Sequence, residues 1–179
     1  MSVRHIHNIK ALKKGFLLPD VMVAVFVTVT AMVAIMAAMV PLFKAEFFKR
    51  DEITATALAQ EGIELVRNVR DNNWKAGRDA FVSPFPPSGG PLLCTDYTKV
   101  TSGTFVNCAD PNRQHLLPDS NGLYMVEAGS STGKFSRSIN VANGATAGTR
   151  DVIVEVSWVA GSLAHSVVLT NTLTDWGNK

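Results

Sequence analysis

The stretch that decides the fold is "VMVAVFVTVTAMVAIMAAMV", Val21–Val40, 20 residues without a charge. A helix rises 1.5 Å per residue, so this run is about 30 Å long, the thickness of a bilayer's hydrocarbon core. It is apolar on every face, whereas the core helix of a small domain usually keeps a polar stripe. The sequence therefore predicts a membrane segment in preference to a buried core helix.

Toward the N-terminus the run is preceded by a basic leader. Residues 1–15 carry Arg4, Lys10, Lys13 and Lys14 and no acid, and the remaining chain has 13 basic and 15 acidic residues. The formal charge of +2 over 179 residues thus belongs to the leader, and nothing in the rest points to a nucleic-acid partner. Such cations stay on the cytoplasmic side, which puts the C-terminal part outside, with one pass through the cytoplasmic (inner) membrane. An ordinary secretory signal is not expected, because the apolar region exceeds the usual 7–15 residues or so. An A-x-A match at Ala57-Leu58-Ala59 lies beyond Lys44, Glu46, Lys49, Arg50, Asp51 and Glu52, too far away for a cleavage site.

One residue is out of place. Asp20 stands immediately before the uncharged run. An acid at the edge of a membrane segment is a functional hypothesis by default. The competing reading is an interfacial aspartate, solvated or capping the helix start beside Pro19.

Toward the C-terminus, residues 16–73 read as one long helix, membrane-like in its first half (16–41) and amphipathic in its second (42–73). In that second half Leu58, Leu65, Val66 and Val69 recur at helical spacing and form an apolar face, expected to pack on a sheet. Glu64–Arg67 and Arg67–Asp71 have the spacings of surface pairs. Pro41 removes a backbone hydrogen bond and Gly62 lowers helix propensity, so both are expected to weaken the helix.

Residues 74–179 form the expected outer head. "SPFPPSGGP" (83–91) is a loop by its proline and glycine content. Cys94 and Cys108 follow, with a hairpin expected between them near Ser102-Gly103. In an exported segment the pair is either a disulfide, closing a loop of about 15 residues worth roughly 3 kcal/mol, or two buried thiols; the bridge is favoured. From residue 122 on, "GLYMVEA", "KFSRSINVA", "DVIVEVSWVA" and "LAHSVVLTNTL" read as strands, with a turn at Gly161-Ser162. The fold class is α+β, a long helix followed by an antiparallel sheet of about four strands.

The chemistry-bearing motifs are few. "AGSSTGKF" (128–135) approaches a phosphate loop, but Phe135 stands where a Ser or Thr would hold Mg²⁺, so it reads as a hairpin loop. The cysteine spacing fits no zinc pattern, and His115 and His165 stand alone. His5 and His7 are too few for a metal site. No cofactor, metal or catalytic constellation is expected.

"KKGFLLPDVMVAVF" (13–26) resembles the class III signal of type IV pilins and pseudopilins: basic leader, glycine, phenylalanine, three mostly apolar residues, an acid, then about twenty apolar residues. The resemblance implies the pilin-like plan of helix and sheet, cleavage after Gly15 by a prepilin peptidase, and methylation of the new amino group of Phe16 by the same enzyme. Lys13 and Lys14 would hold the scissile bond at the cytoplasmic face. The resemblance also implies that the Asp20 carboxylate pairs with the N-terminal ammonium of a neighbouring subunit, setting register between pilin subunits in an extracellular filament. Asp20 stands where the family has glutamate, one methylene longer. Pro41 lies four residues later than the family's helix-breaking proline; both departures fit a minor subunit. Type II secretion pseudopilins share the pattern, and a non-polymerising, membrane-anchored binding or adhesive domain is the competing class.

Overall fold

A computed structural model describes residues 18–86, 90–101, 105–108, 115–126 and 132–175. The chain divides into two compact units, one ending at Glu46 and one spanning Phe47–Lys179. Helix α1, Leu18–Lys75, is 58 residues long and continues through Pro41. A single proline removes one donor from a ladder of many, which a long helix tolerates. Gly77, at a φ of 67°, lies just past its end, where the left-handed backbone favours glycine.

In the first unit every side chain described from Leu18 to Phe43 is exposed. The large apolar residues there keep between 49% (Met39) and 77% (Leu18) of their surface. Thr28 and Thr30 donate their hydroxyls to the carbonyls of Ala24 and Phe26, which satisfies these polar groups within an apolar helix. The helix is long and apolar enough to cross a membrane.

In the second unit α1 changes character. Ala55, Leu58, Ala59, Ile63, Leu65, Val66 and Val69 are buried, and they form one core with the sheet. Among the described residues the sheet has seven strands, all paired antiparallel: β1 (Leu93–Cys94), β2 (Val106–Asn107), β3 (His115–Pro118), β4 (Tyr124–Val126), β5 (Phe135–Asn143), β6 (Thr149–Ala160) and β7 (Leu163–Thr174). Strand β5 is its hub. One edge pairs with β6 from Phe135↔Trp158 to Asn143↔Arg150. The other edge is shared, first by β3 (Leu116↔Phe135) and then by β1 (Leu93↔Ile139). On β6 the alternation is clean: Val152, Val154, Val156 and Trp158 are buried, and Glu155 between them is exposed.

Three differences from the sequence reading have physical reasons. The sheet exceeds four strands because β1, β2 and β3 lie before residue 122, where the four expected strands begin; they are two to four residues long, too short for a periodic signal. Between the cysteines the chain forms a short helix α2 (Tyr97–Thr101) before β2 returns to pair with β1, so the connection is not a simple hairpin. Asp71 accepts a hydrogen bond from Arg70 Nε at 2.9 Å, while Arg67 pairs with Glu64. Arg70 itself lies over the Trp74 ring, its guanidinium carbon 4.5 Å from the centroid.

Candidate functional site

Two regions carry the functional expectations: the start of the apolar helix, and the polar centre beneath the disulfide. Asp20 lies in the first turn of α1 and is exposed. A carboxylate there is favourable, since the first turn carries unpaired N–H groups and the positive end of the helix dipole. Lys13, Lys14, Gly15 and Phe16 lie outside the described residues, as do His5 and His7.

Cys94, at the end of β1, is bonded to Cys108, just past β2, with the Cα atoms 5.4 Å apart. Both are buried in the core cluster. The bridge fixes the segment that presents Thr95 and Asp96, and these two sit over the one buried arginine described in the sheet, Arg137 of β5.

Arg137 is 1% exposed. It shares the inward row of β5 with Phe135, Ile139 and Val141, an otherwise apolar set. Its Nη1 donates to the Leu58 carbonyl of α1 at 2.9 Å and its Nη2 to the Thr95 carbonyl at 2.7 Å. Glu61 on the next turn of α1 lies 3.4 Å from Nη1. One guanidinium thus ties helix, sheet and disulfide loop together. Burial pulls the Arg137 pKa below its usual value, with Glu61 and Asp96 acting against that. Its Nε has no hydrogen-bond partner among the described residues. Directly above, Gly62 lets the helix approach the sheet: a Cβ there would stand 2.9 Å from Val154 Cγ1 and 3.3 Å from Arg137 Cδ.

Asp96 is the second buried charge of this centre. Its Oδ1 accepts from the N–H groups of Thr98 (2.8 Å) and Lys99 (3.0 Å), the start of α2, and its Oδ2 accepts from Val126 N–H of β4 at 2.9 Å. Burial alone would raise its pKa. The hydrogen bonds from Thr98, Lys99 and Val126 outweigh burial and hold it below the usual carboxylate value. Next to it Tyr97 Oη donates to Asp119 Oδ2 at 2.9 Å, which raises the tyrosine. Asp119 is lowered, chiefly by the Leu123 N–H it accepts.

Each of these groups joins separate elements of the head. His115 Nδ1 lies 3.0 Å from the Gly133 carbonyl and 3.1 Å from Ser136 Oγ. A carbonyl only accepts, so the proton belongs on Nδ1, and that nitrogen is not available to deprotonate Ser136. His165 packs edge-on against Phe48, centroids 4.5 Å apart. Among the described residues no three His, Cys, Asp or Glu side chains gather as a metal site. An open groove of about 680 Å³ runs between Asp79, Phe81, the 143–150 loop and Asp175; its Asp175 accepts from Trp74 Nε1 at 2.9 Å.

The sequence reading missed Arg137, and it took Gly62 for a weakness of the helix rather than its point of closest approach to the sheet. The signal for Arg137 was present: alternation in "FSRSINV" puts it on the same face as Phe135, Ile139 and Val141. Comparison with protein-family models, curated proteins and solved structures finds no match for this chain.

Proposed function

We propose that the chain is a structural subunit of a type IV pilus-like filament, a minor pilin or pseudopilin, cut by a prepilin peptidase after Gly15 and assembled through its apolar helix. The observation that carries this reading is a single helix with two surfaces: uncovered apolar side chains from Leu18 to Phe43, and a buried face from Ala55 to Val69. A monomer hides the first surface in lipid; a filament hides it among neighbouring helices. The head rides on the second.

The role of Asp20 follows from the cost of its charge. An acid at the bilayer centre costs about 2.5–3.5 kcal/mol on insertion scales, and less near the interface, so a waiting subunit tolerates Asp20 there. Away from water in a helix bundle the same carboxylate needs a cation. Hydrolysis of the Gly15–Phe16 bond makes one, the amino terminus of Phe16, and pairing between adjacent copies fixes their stagger. The prepilin-like order of residues 13–26 supports this sequence of events.

The test is the intact mass and N-terminal residue of protein extracted from membranes of cells that contain a prepilin peptidase. The expected product begins at N-methyl-Phe16. Unmethylated Phe16 keeps the processing and assigns to Asp20 a failure to support methylation. A chain that still begins at Met1 refutes the reading and leaves a membrane-anchored domain that does not polymerise. A type II secretion pseudopilin gives the same mass, and is distinguished by loss of protein export, without loss of surface fibres, when the chain is deleted.

A further inference from the structure

Among the described residues the sheet ends in three edge strands, β2, β4 and β7. The first two are two and three residues long, and brevity protects an edge from pairing with other chains. Strand β7 has no such protection. It is 12 residues long and pairs with β6 alone, from Thr149↔Thr174 to Ala160↔Leu163 without a bulge. It contains no proline and no Lys, Arg, Asp or Glu, the residues that usually guard an edge. Its outer edge therefore presents a long row of backbone N–H and C=O groups.

The sequence of β7 says what fits against that row. "LAHSVVLTNTL", residues 163–173, is a palindrome by residue class about Val168. When two such strands pair antiparallel with Val168 opposite Val168, Val167 faces Leu169 of the second copy and Leu163 faces Leu173. Likewise Ser166 faces Thr170, His165 faces Asn171 and Ala164 faces Thr172. Aliphatic residues meet aliphatic ones, and polar residues meet polar or small ones. Facing residues in an antiparallel pair share one face of the sheet, so these matches are direct contacts. Other registers lose them: centring on Val167 sets His165 against Leu169, and centring on Leu169 sets Val167 against Asn171. Val167 and Leu169 lie partly buried at the margin of the core, so a second copy completes their cover. On the other face Val168 is 53% exposed and meets its own counterpart. No like charges are opposed, because β7 carries none.

We infer that β7 is a self-association edge, which pairs antiparallel with β7 of a second copy of this chain about a two-fold axis at Val168. Backbone hydrogen bonds supply the affinity and the side-chain palindrome supplies the register. A two-fold contact uses the same patch on both copies and closes on itself. It is therefore additional to assembly through the apolar helix and does not depend on it.

The experiment uses the full chain in detergent micelles, with one cysteine placed at an exposed position of β7. The two natural cysteines are bonded to each other and buried, so each variant has one reactive thiol. Ser166, Val168, Thr170 and Thr172 are all exposed. Mild oxidation joins only thiols whose Cα atoms lie within about 7 Å, and directly opposed residues are about 4.5–5.5 Å apart. Val168→Cys is expected to run mostly as a covalent dimer. Thr172→Cys is expected to stay monomeric, since its counterpart lies eight residues along the ladder, about 27 Å away. Ser166→Cys and Thr170→Cys chains should each stay monomeric alone, at about 14 Å from their counterparts, and should couple to each other when mixed. Cross-linking of Thr172→Cys as readily as Val168→Cys, or of none of these chains, overturns the inference and leaves the filament reading untouched.

Discussion

Replacing Arg137 separates what a buried charge does for this fold from what its bulk does. Arg137→Ala removes two strong hydrogen bonds, to the carbonyls of Leu58 and Thr95, and empties the path of the side chain. The Leu58 carbonyl also belongs to the helix ladder, so it keeps a partner. Glu61 is partly exposed and rehydrates. The Thr95 residue is fully buried, and a stranded carbonyl there costs about 1–3 kcal/mol. Loss of the packed methylenes adds about 2 kcal/mol or more. The expected loss for alanine is therefore about 3–5 kcal/mol, the range for breaking a buried charged contact. Arg137→Met keeps the bulk, removes the desolvated charge and its unpartnered Nε, and still strands Thr95; it should fall within about 1.5 kcal/mol of the native chain. Urea unfolding of the full chain in detergent micelles, followed by near-ultraviolet dichroism, measures both. An alanine loss below about 1 kcal/mol would refute the assignment of Arg137 as the tie between helix, sheet and disulfide loop, and equal losses for alanine and methionine would refute the argument that bulk offsets the lost charge.

Three other outcomes follow from the same joints. Gly62→Ala gains about 1 kcal/mol of helix propensity but overlaps stiff Val154, an overpacking cost of about 1–3 kcal/mol, so it should be neutral to destabilising; in a Val154→Ala background it should become stabilising, and an unchanged sign would show that the close approach is not the reason for glycine. Asp96 has a lowered folded pKa, so its stabilisation is complete above the unfolded carboxylate value near 3.8 and is lost as pH falls through the lower folded value; Asp96→Asn should flatten the acid limb of stability between about pH 5 and 2, checked by urea midpoints across that range. Reducing Cys94–Cys108, 14 residues apart in sequence, should lower stability by about 3 kcal/mol, read as a drop in urea midpoint between oxidised and reduced samples.

Local pattern already decided much of this molecule. The uncharged run Val21–Val40, the helical spacing of Leu58, Leu65, Val66 and Val69, and the alternation of Val152, Val154, Val156 and Trp158 each repeat often enough to specify an element and its buried face. The helix read as 16–73 runs Leu18–Lys75 in its described part, and the four strands read after residue 122 lie within β4 to β7 or extend them by a residue or two. Strands β1–β3 and helix α2 were not legible, because two to five residues hold no period; β1 and β3 take up the second edge of β5, and β2 pairs with β1. Gly62 read as a weakness of the helix and is its point of closest approach to the sheet. Arg137 read as one polar residue in a strand. Its meaning depends on two carbonyls, one from residue 58 and one from residue 95, that only the packed chain brings to the same guanidinium. Periodicity is a property of neighbours in sequence, so the sequence alone determined the elements and their apolar faces. The partners of a buried charge are neighbours in space, so the tertiary structure decided how the head is tied together.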